Sequence, residues 1–238
     1  MSGKVLIDGD IIAYRAAFAT EDQPQKEAIE KVDSLIEYVL DETALPFAGK
    51  DDYEVFLTGK GNFRYDLATT AIYKGNRSKR EKPRHLTATR NHLVDEHDAI
   101  VSENEEADDL IGKAVTKYGP SSIVASIDKD MLQLACQHFN LTRGTLTTVS
   151  DFDGLKFFYS QILSGDNADN ILGLYKVGPA TANKMLQGCE TEEELFEECV
   201  KAYDGDVDRV IENARLLWLR REEGQIWEPP VQVKQKGD

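Results

Sequence analysis

Carboxylates recur in four short clusters of this 238-residue chain: Asp8 and Asp10, Glu106 with Asp108 and Asp109, Asp128 with Asp130, and Asp166 with Asp169. Like charges at close range repel by several kcal/mol unless something compensates them. If the fold brings these clusters together, bound cations are the natural compensation. Every donor in the clusters is an oxygen, with no His or Cys among them. That selects hard ions, Mg²⁺ or Mn²⁺, over Zn²⁺. Two such ions about 4 Å apart activate a water and stabilise the leaving oxygen of an in-line phosphoryl displacement. Lys74 and Arg77 are placed to add positive charge at the scissile phosphate. Each cluster alone has a blander account. Glu106 and Asp108 suit the first turn of a helix, Asp128 an N-cap, and Asp166 and Asp169 a turn. The case for chemistry rests on all four sharing one edge.

That edge follows from the elements. Lys4–Asp8, Tyr53–Leu57 and Ser122–Ser126 are short apolar runs that read as buried strands, with shorter strands at 99–101 and 139–141. Residues 25–43 carry Ile29, Val32, Leu35, Ile36, Val39 and Leu40 at helical spacing. Further helices are expected over 87–97 and 107–117, with a short one after Asp130. Strand alternating with helix predicts an α/β fold, a mostly parallel sheet flanked by helices. In such sheets ligands bind at the carboxyl ends of the strands. Asp8 and Asp128 then follow strand ends, and Glu106 to Asp109 open a helix leading away from the same edge.

After residue 152 the pattern turns all-helical: 153–164, 179–187, 191–203 and 207–221. The expected division is an α/β core over 1–152, containing a basic segment at 74–97, a helical region over 153–228, and a tail at 229–238. In Gly173-Leu-Tyr-Lys-Val-Gly178-Pro-Ala-Thr-Ala182, two glycines bracket a hairpin and Pro179 suits the first helical position. This predicts a helix-hairpin-helix whose exposed N–H groups grip a DNA phosphate without reading bases.

The net charge of −15 argues by itself against nucleic-acid binding. The charge is segregated, however. Lys74 to Arg90 holds seven basic residues and one acid, whereas Asp95 to Asp109 holds eight acids and no Lys or Arg. An anion-binding stretch beside a cation-binding one fits that split. Hydrophobic residues make up 41%, enough for a core. No apolar run approaches the roughly 18 residues of a membrane span, and nothing at the N-terminus resembles a signal peptide. The three cysteines show no metal-ligand spacing. A cytoplasmic protein without membrane contact is expected, of a prokaryote or a phage-infected cell.

Five motifs in order carry a family resemblance: Leu6-Ile-Asp-Gly-Asp10, Tyr73-Lys-Gly-Asn-Arg77, Glu106-Ala-Asp-Asp109, Ile127-Asp-Lys-Asp130, and Gly165-Asp-Asn-Ala-Asp169 followed by Val177-Gly178. The sequence resembles the flap-endonuclease-like 5′ nucleases, and phage 5′→3′ exonucleases most of all, over about residues 4–187. The resemblance implies a PIN-like core with a helix-three-turn-helix DNA-binding region. It also implies a metal-dependent 5′→3′ exonuclease or flap endonuclease of replication or repair, leaving a 5′-phosphate and a 3′-hydroxyl. By motif, Asp8, Glu106, Asp108 and Asp128 would serve one metal ion. Asp130, Asp166 and Asp169 would serve a second, with Asp109 bridging through water. Lys74 and Arg77 would act on the scissile phosphate, and Tyr73 would stack on a terminal base. Lys79, Arg80, Lys82 and Arg84 would line the arch that admits single strand. Lys176, Gly178, Ala180 and Thr181 would hold duplex at the helix-hairpin-helix, where K⁺ can also sit. The expected partner is DNA with 5′ ends or flaps, bound by a monomer.

One departure stands out. Family members carry an aspartate just after the second strand, whereas Phe56-Leu-Thr-Gly-Lys-Gly-Asn-Phe-Arg64 holds no acid, and Thr58 falls nearest that place. Asp10 either substitutes for it or caps the following helix. Two other readings follow: a PIN-type ribonuclease, which needs no helix-hairpin-helix, and a catalytically impaired DNA-structure binder.

Overall fold

The computed structural model describes residues 3–43, 52–76 and 81–231. In chain order the elements are β1 (Val5–Asp8), α1 (Gly9–Ala19), α2 (Gln25–Glu42), β2 (Tyr53–Lys60), α3 (Arg64–Leu67), α4 (Leu86–His97), β3 (Ile100–Glu103), α5 (Ala107–Tyr118), β4 (Ile123–Ser126), a 3₁₀ turn (Lys129–Gln133), β5 (Gln137–Asn140), β6 (Thr145–Thr148), α6 (Asp151–Ser164), β7 (Gly165–Asp166), β8 (Ile171–Leu172), α7 (Pro179–Met185), α8 (Glu192–Ala202) and α9 (Val207–Leu217). They divide into two compact units. The first holds residues 1–62, 80–149 and 221–223, and the second holds 63–79, 150–220 and 224–238. The sequence suggests one break near residue 152. In the structure residues 63–79 group with the helical part, because Tyr73 and Arg64 are buried there.

The first unit is built on one sheet in the order β3-β2-β1-β4-β5-β6. Its first five strands are parallel and β6 runs antiparallel to β5. The expected parallel α/β sheet is therefore present. β1 is buried along its whole length, as its unbroken apolar run requires. Val5, Ile7, Val55, Leu57 and Ala125 pack with Ile12, Ala16, Val32, Ile36 and Leu93 of α1, α2 and α4. Each fully buried aliphatic side chain of this kind is worth roughly 1.5–3 kcal/mol. α5 also packs against β1 and β2. Its buried residues Ile111, Ala114 and Val115 take no part in that cluster.

Several elements depart from the sequence reading, α1 and α3 among them. The second strand continues to Lys60, three residues beyond Leu57. β6 is exposed along its length, so its residues show no alternation to read. The β7–β8 hairpin is only two residues a side. It depends on Gly165 at φ +68°, where a Cβ would come within 2.3 Å of the Gly173 nitrogen.

The second unit is helical around its own core. Phe158, Tyr159, Ile162 and Leu163 of α6 pack with Leu186, Leu195, Phe196, Val210, Leu217 and Trp227. Ser150 caps α6, accepting from the Asp153 amide at 3.1 Å. Arg64 is buried yet satisfied, donating to the carbonyls of Leu216 at 2.9 Å and Trp218 at 2.7 Å. Among the described residues no helix is long and apolar enough to cross a membrane.

Candidate metal centre

In the first unit the strand order places β1 between β2 and β4. The chain moves outward on one side through β2 and β3, then returns to build the other side through β4 and β5. The switch point therefore lies between β1 and β4, where ligands of such sheets bind. Asp8 ends β1 and N-caps α1, accepting from the Ile11 amide at 3.2 Å. The Ser126 hydroxyl, at the end of β4, donates to its other oxygen at 2.8 Å. Asp128 follows two residues later and caps the 3₁₀ turn by accepting from the Asp130 amide at 2.9 Å. Glu106 is the N-cap of α5, and Asp108 sits in that helix's first turn.

These carboxylates feel one another. Burial, with added repulsion from Asp10 and Asp128, pushes the Asp8 carboxyl up to about 7 despite its two hydrogen bonds. Burial, then repulsion from Asp8, Asp128, Glu106 and Asp109, holds Asp108 well above the usual carboxylate range. So three of the four sequence clusters do converge. The blander readings of Asp128 as an N-cap and of Glu106 at a helix start also hold, and capping by Asp8, Glu106 and Asp128 is what fixes their positions. Among the described residues no three carboxylates place one oxygen each within 4.8 Å of one another.

Asp109 is fully buried and turned toward its own helix end, where it accepts from the Glu106 amide at 3.1 Å and completes a capping box. Its structural task is plain, and only the sequence resemblance speaks for a water bridge. Asp10 is engaged by Arg90, which forms an ion pair with Oδ1, while the Thr58 amide donates to Oδ2 at 2.9 Å. Arg90 also donates to the Thr58 carbonyl at 2.6 Å. The Thr58 hydroxyl accepts from the Ala107 amide at 3.0 Å, tying the end of β2 to the start of α5. Asp8 is the cap of α1, which corrects the capping alternative for Asp10; the Asp10 carboxylate is paired with Arg90 and lies against Thr58. Ser126 and the partners of Thr58 and Arg90 escaped the sequence reading, since such side chains declare their partners only once the strands are paired.

In the second unit Asp166 is buried and closes its own turn, accepting from the amides of Ala168 at 2.6 Å and Asp169 at 3.3 Å. Asp169 accepts from the Tyr73 hydroxyl at 2.7 Å and lies 3.7 Å from Lys74 Nζ. The Lys74 amide donates to the Asp169 carbonyl at 2.8 Å, and Lys74 takes a left-handed φ of 55° there. Asn76 and Asn170 add side-chain bonds to Asn167 and Ile72. Tyr73 is 2% exposed, so its expected role as a stacking platform is corrected: the ring is core and the hydroxyl orients Asp169. Pro179 does open α7 behind Gly178, and Tyr175 of the same loop is 87% exposed. Lys82 and Arg84 lie in the described chain, where the Arg84 amide donates to the Glu21 carboxylate at 3.1 Å. Arg77, Lys79 and Arg80 fall outside the described residues.

Residues 4–158 match the model of the 5′-3′ exonuclease N-terminal, resolvase-like domain. The chain belongs to the 5′-3′ exonuclease family. Among relatives, the 5′-3′ exonuclease of Mycoplasma pneumoniae is 30% identical over 230 residues, covering 82% of this chain and 75% of that one. DNA polymerase I of Bacillus subtilis is 32% identical over 215 residues, covering 81% of this chain and 24% of the polymerase. The chain thus spans about a quarter of the polymerases it matches, including that of Streptococcus pneumoniae at 28% identity. A structure of the bacteriophage T5 5′-exonuclease with zinc ions bound superposes with a TM-score of 0.68 at 18% identity, covering 90% of this chain and 89% of that one. The phage T5 flap endonuclease in a pseudo-enzyme–product complex with DNA and metal ions gives 0.65 at 16%, covering 90% and 88%. At such identities the likeness establishes the exonuclease fold. The 5′-3′ exonuclease membership comes from the family model.

Proposed function

We propose that this chain is a Mg²⁺- or Mn²⁺-dependent 5′→3′ exonuclease or flap endonuclease that hydrolyses DNA phosphodiesters in the cytoplasm, in replication or repair. The observation that carries the reading is the pair Asp8, buried, and Asp108, half-buried, both held above the ordinary carboxylate range by removal from water and by neighbouring acids. A fold that gathers such groups at a switch point suits a hard divalent ion, since all the donors are oxygens. Asp8, Glu106, Asp108 and Asp128 would hold the first ion. The assignment of Asp130, Asp166 and Asp169 to a second rests on the family resemblance. Bound there, the ions would supply an activated water and stabilise the leaving oxygen.

The chain's own residues do the rest. Ser126 and the α1 amide hold Asp8 in one orientation. Arg90 offsets part of the charge that Asp10 adds to the cluster. Lys74, fixed by its backbone bond to Asp169, presents an ammonium for the scissile phosphate. Arg77, Lys79, Arg80, Lys82 and Arg84 offer phosphate contacts. Gly178, Ala180, Thr181 and Lys176 would hold duplex, with K⁺ as companion ion, and Tyr175 is better exposed than Tyr73 to meet a base.

Thr58 supports one competing reading. Where the resemblance calls for an acid, its hydroxyl is already committed to the Ala107 amide. A DNA-structure binder with impaired catalysis would follow if the first ion needs that acid. A 5′-flap substrate assayed with and without Mg²⁺ or Mn²⁺ separates the two. Metal-dependent release of fragments with 5′-phosphate and 3′-hydroxyl ends is expected; binding with no cleavage at any metal concentration would leave the binder.

A further inference from the structure

One side-chain cluster in the first unit differs in chemistry from all the acids above. His92 and His97 of α4 both point Nε2 at the same oxygen of Asp33 on α2, at 2.6 and 2.9 Å. Among the described residues this is the one group of three whose possible ligand atoms all lie within 4.8 Å of one another. It sits at the opposite edge of the sheet from Asp8. Tyr53, the first residue of β2, touches it through a 3.0 Å hydrogen bond to His97 Nδ1, whereas Asp8 is the last residue of β1.

We infer that Asp33, His92 and His97 form a Zn²⁺ site that clasps α2 to α4. Two imidazole nitrogens and one carboxylate oxygen suit zinc, and leave a fourth tetrahedral position for water. Zinc bonds of about 2.0–2.1 Å set tetrahedral ligands about 3.3 Å apart. The Asp33 contacts have to open by about 0.7 Å at His92 and about 0.4 Å at His97. The two rings are mostly buried while Asp33 is 44% exposed, so an ion can enter from the Asp33 side. Tyr53 supplies what a metal-bound histidine requires behind it. With Nε2 on zinc, the proton of His97 moves to Nδ1 and donates to the Tyr53 oxygen, fixing the tautomer. Without zinc the same hydroxyl can donate to Nδ1 while both Nε2–H groups bind Asp33. Burial would raise the Asp33 carboxyl, yet His92 and His97 outweigh it and hold it below the ordinary value.

The test uses the whole chain, stripped with a chelator. Zn²⁺ should move the ring ¹H–¹⁵N signals of His92 and His97 to the Nδ1–H tautomer. Co²⁺ should give the intense visible band of four-coordinate nitrogen–oxygen ligation, displaced by Zn²⁺. The His92→Gln/His97→Gln variant, checked for native fold by circular dichroism, should lose the band. Tyr53→Phe should keep it while weakening Zn²⁺ about 10–100-fold. If the double variant does not fold, Asp33→Asn at its half-exposed position should lose the band instead. Histidine signals indifferent to Zn²⁺ in the wild type, or a cobalt band that survives in the folded His92→Gln/His97→Gln or Asp33→Asn variant, would overturn the site and leave a hydrogen-bonded helix clasp.

Discussion

Asp8 and Asp108 of the first unit and Glu212 of the second are held in opposite electrostatic states. Asp8 is buried and Asp108 half-buried with carboxylates for neighbours, and their protons are held on above the ordinary range. In the second unit Asp169 faces the Tyr73 hydroxyl and the Lys74 ammonium. Glu212 shows the same contrast more sharply. Burial would raise it, but the Thr70 hydroxyl and the Thr69 and Thr70 amides outweigh that and hold it down to about 2. A carboxylate that already has donors is part of the architecture. A buried carboxylate among carboxylates calls for a cation from outside. The same residue type thus reads as brace or as ligand according to its company, and Asp10, paired with Arg90, is a brace inside the ligand cluster.

The largest effect that would break this contrast is expected at Asp108. Asp108→Ala should lower metal-dependent cleavage by on the order of 10²–10³-fold, because charge stabilisation at the reacting centre is lost. Near-wild-type turnover would mean the repelling acids are not ligands. Asp130→Ala should likewise abolish cleavage while leaving DNA affinity largely intact, read by gel shift beside the cleavage assay.

Asp8 sharpens the comparison through pH. Its carboxyl titrates near 3.8 when free and at about 7 in the metal-free fold. Across that window the folded state binds more protons than the unfolded one, so the metal-free fold loses stability as pH rises through it. The thermal shift produced by Mg²⁺ should therefore grow from pH 6 to pH 8, and Asp8→Asn should flatten both slopes. A shift independent of pH in the wild type would contradict the assignment. Lys74→Ala should slow cleavage by about tenfold or more, as a lost charge contact to the phosphate would. Its stability should change by about 1 kcal/mol or less, the range of partly solvated ion pairs.

The smallest effect is expected at Glu212. Its depressed carboxyl contributes stability above about pH 4.5 that is lost as pH falls toward 2. Glu212→Gln should cost about 1 kcal/mol at neutral pH. Its unfolding curve in acid should converge on the wild type. A variant that stays weaker at pH 2 would show that packing, and not charge, holds that loop.

Much of the first unit was legible in the chain. Apolar runs ending in aspartate placed β1 and β4, and the 3.6-residue spacing placed α2 and α5, because buried strands and one-sided helices leave periodic marks. α1 left little mark, since its core face is made of Ala13, Ala16 and Ala17 beside Ile12. β6, exposed on both faces, left none. The site was legible as residue types and their order, with the family resemblance adding roles. Its supporting bonds were not: Ser126 to Asp8 spans 118 positions, and Thr58 to Ala107 spans 49.

By itself the sequence determined that acids would end the strands of a parallel sheet, since local periodicity and the position of each aspartate within its own run suffice for that. It also determined the choice of hard-ion donors, because ligand chemistry is a property of residue types. Only the tertiary structure decided which acids are compensated. That depends on partners distant along the chain: Arg90 on Asp10, Tyr73 and Lys74 on Asp169, and other carboxylates on Asp8 and Asp108. Charge compensation is a matter of distances of a few ångströms, and those exist only once the chain has folded.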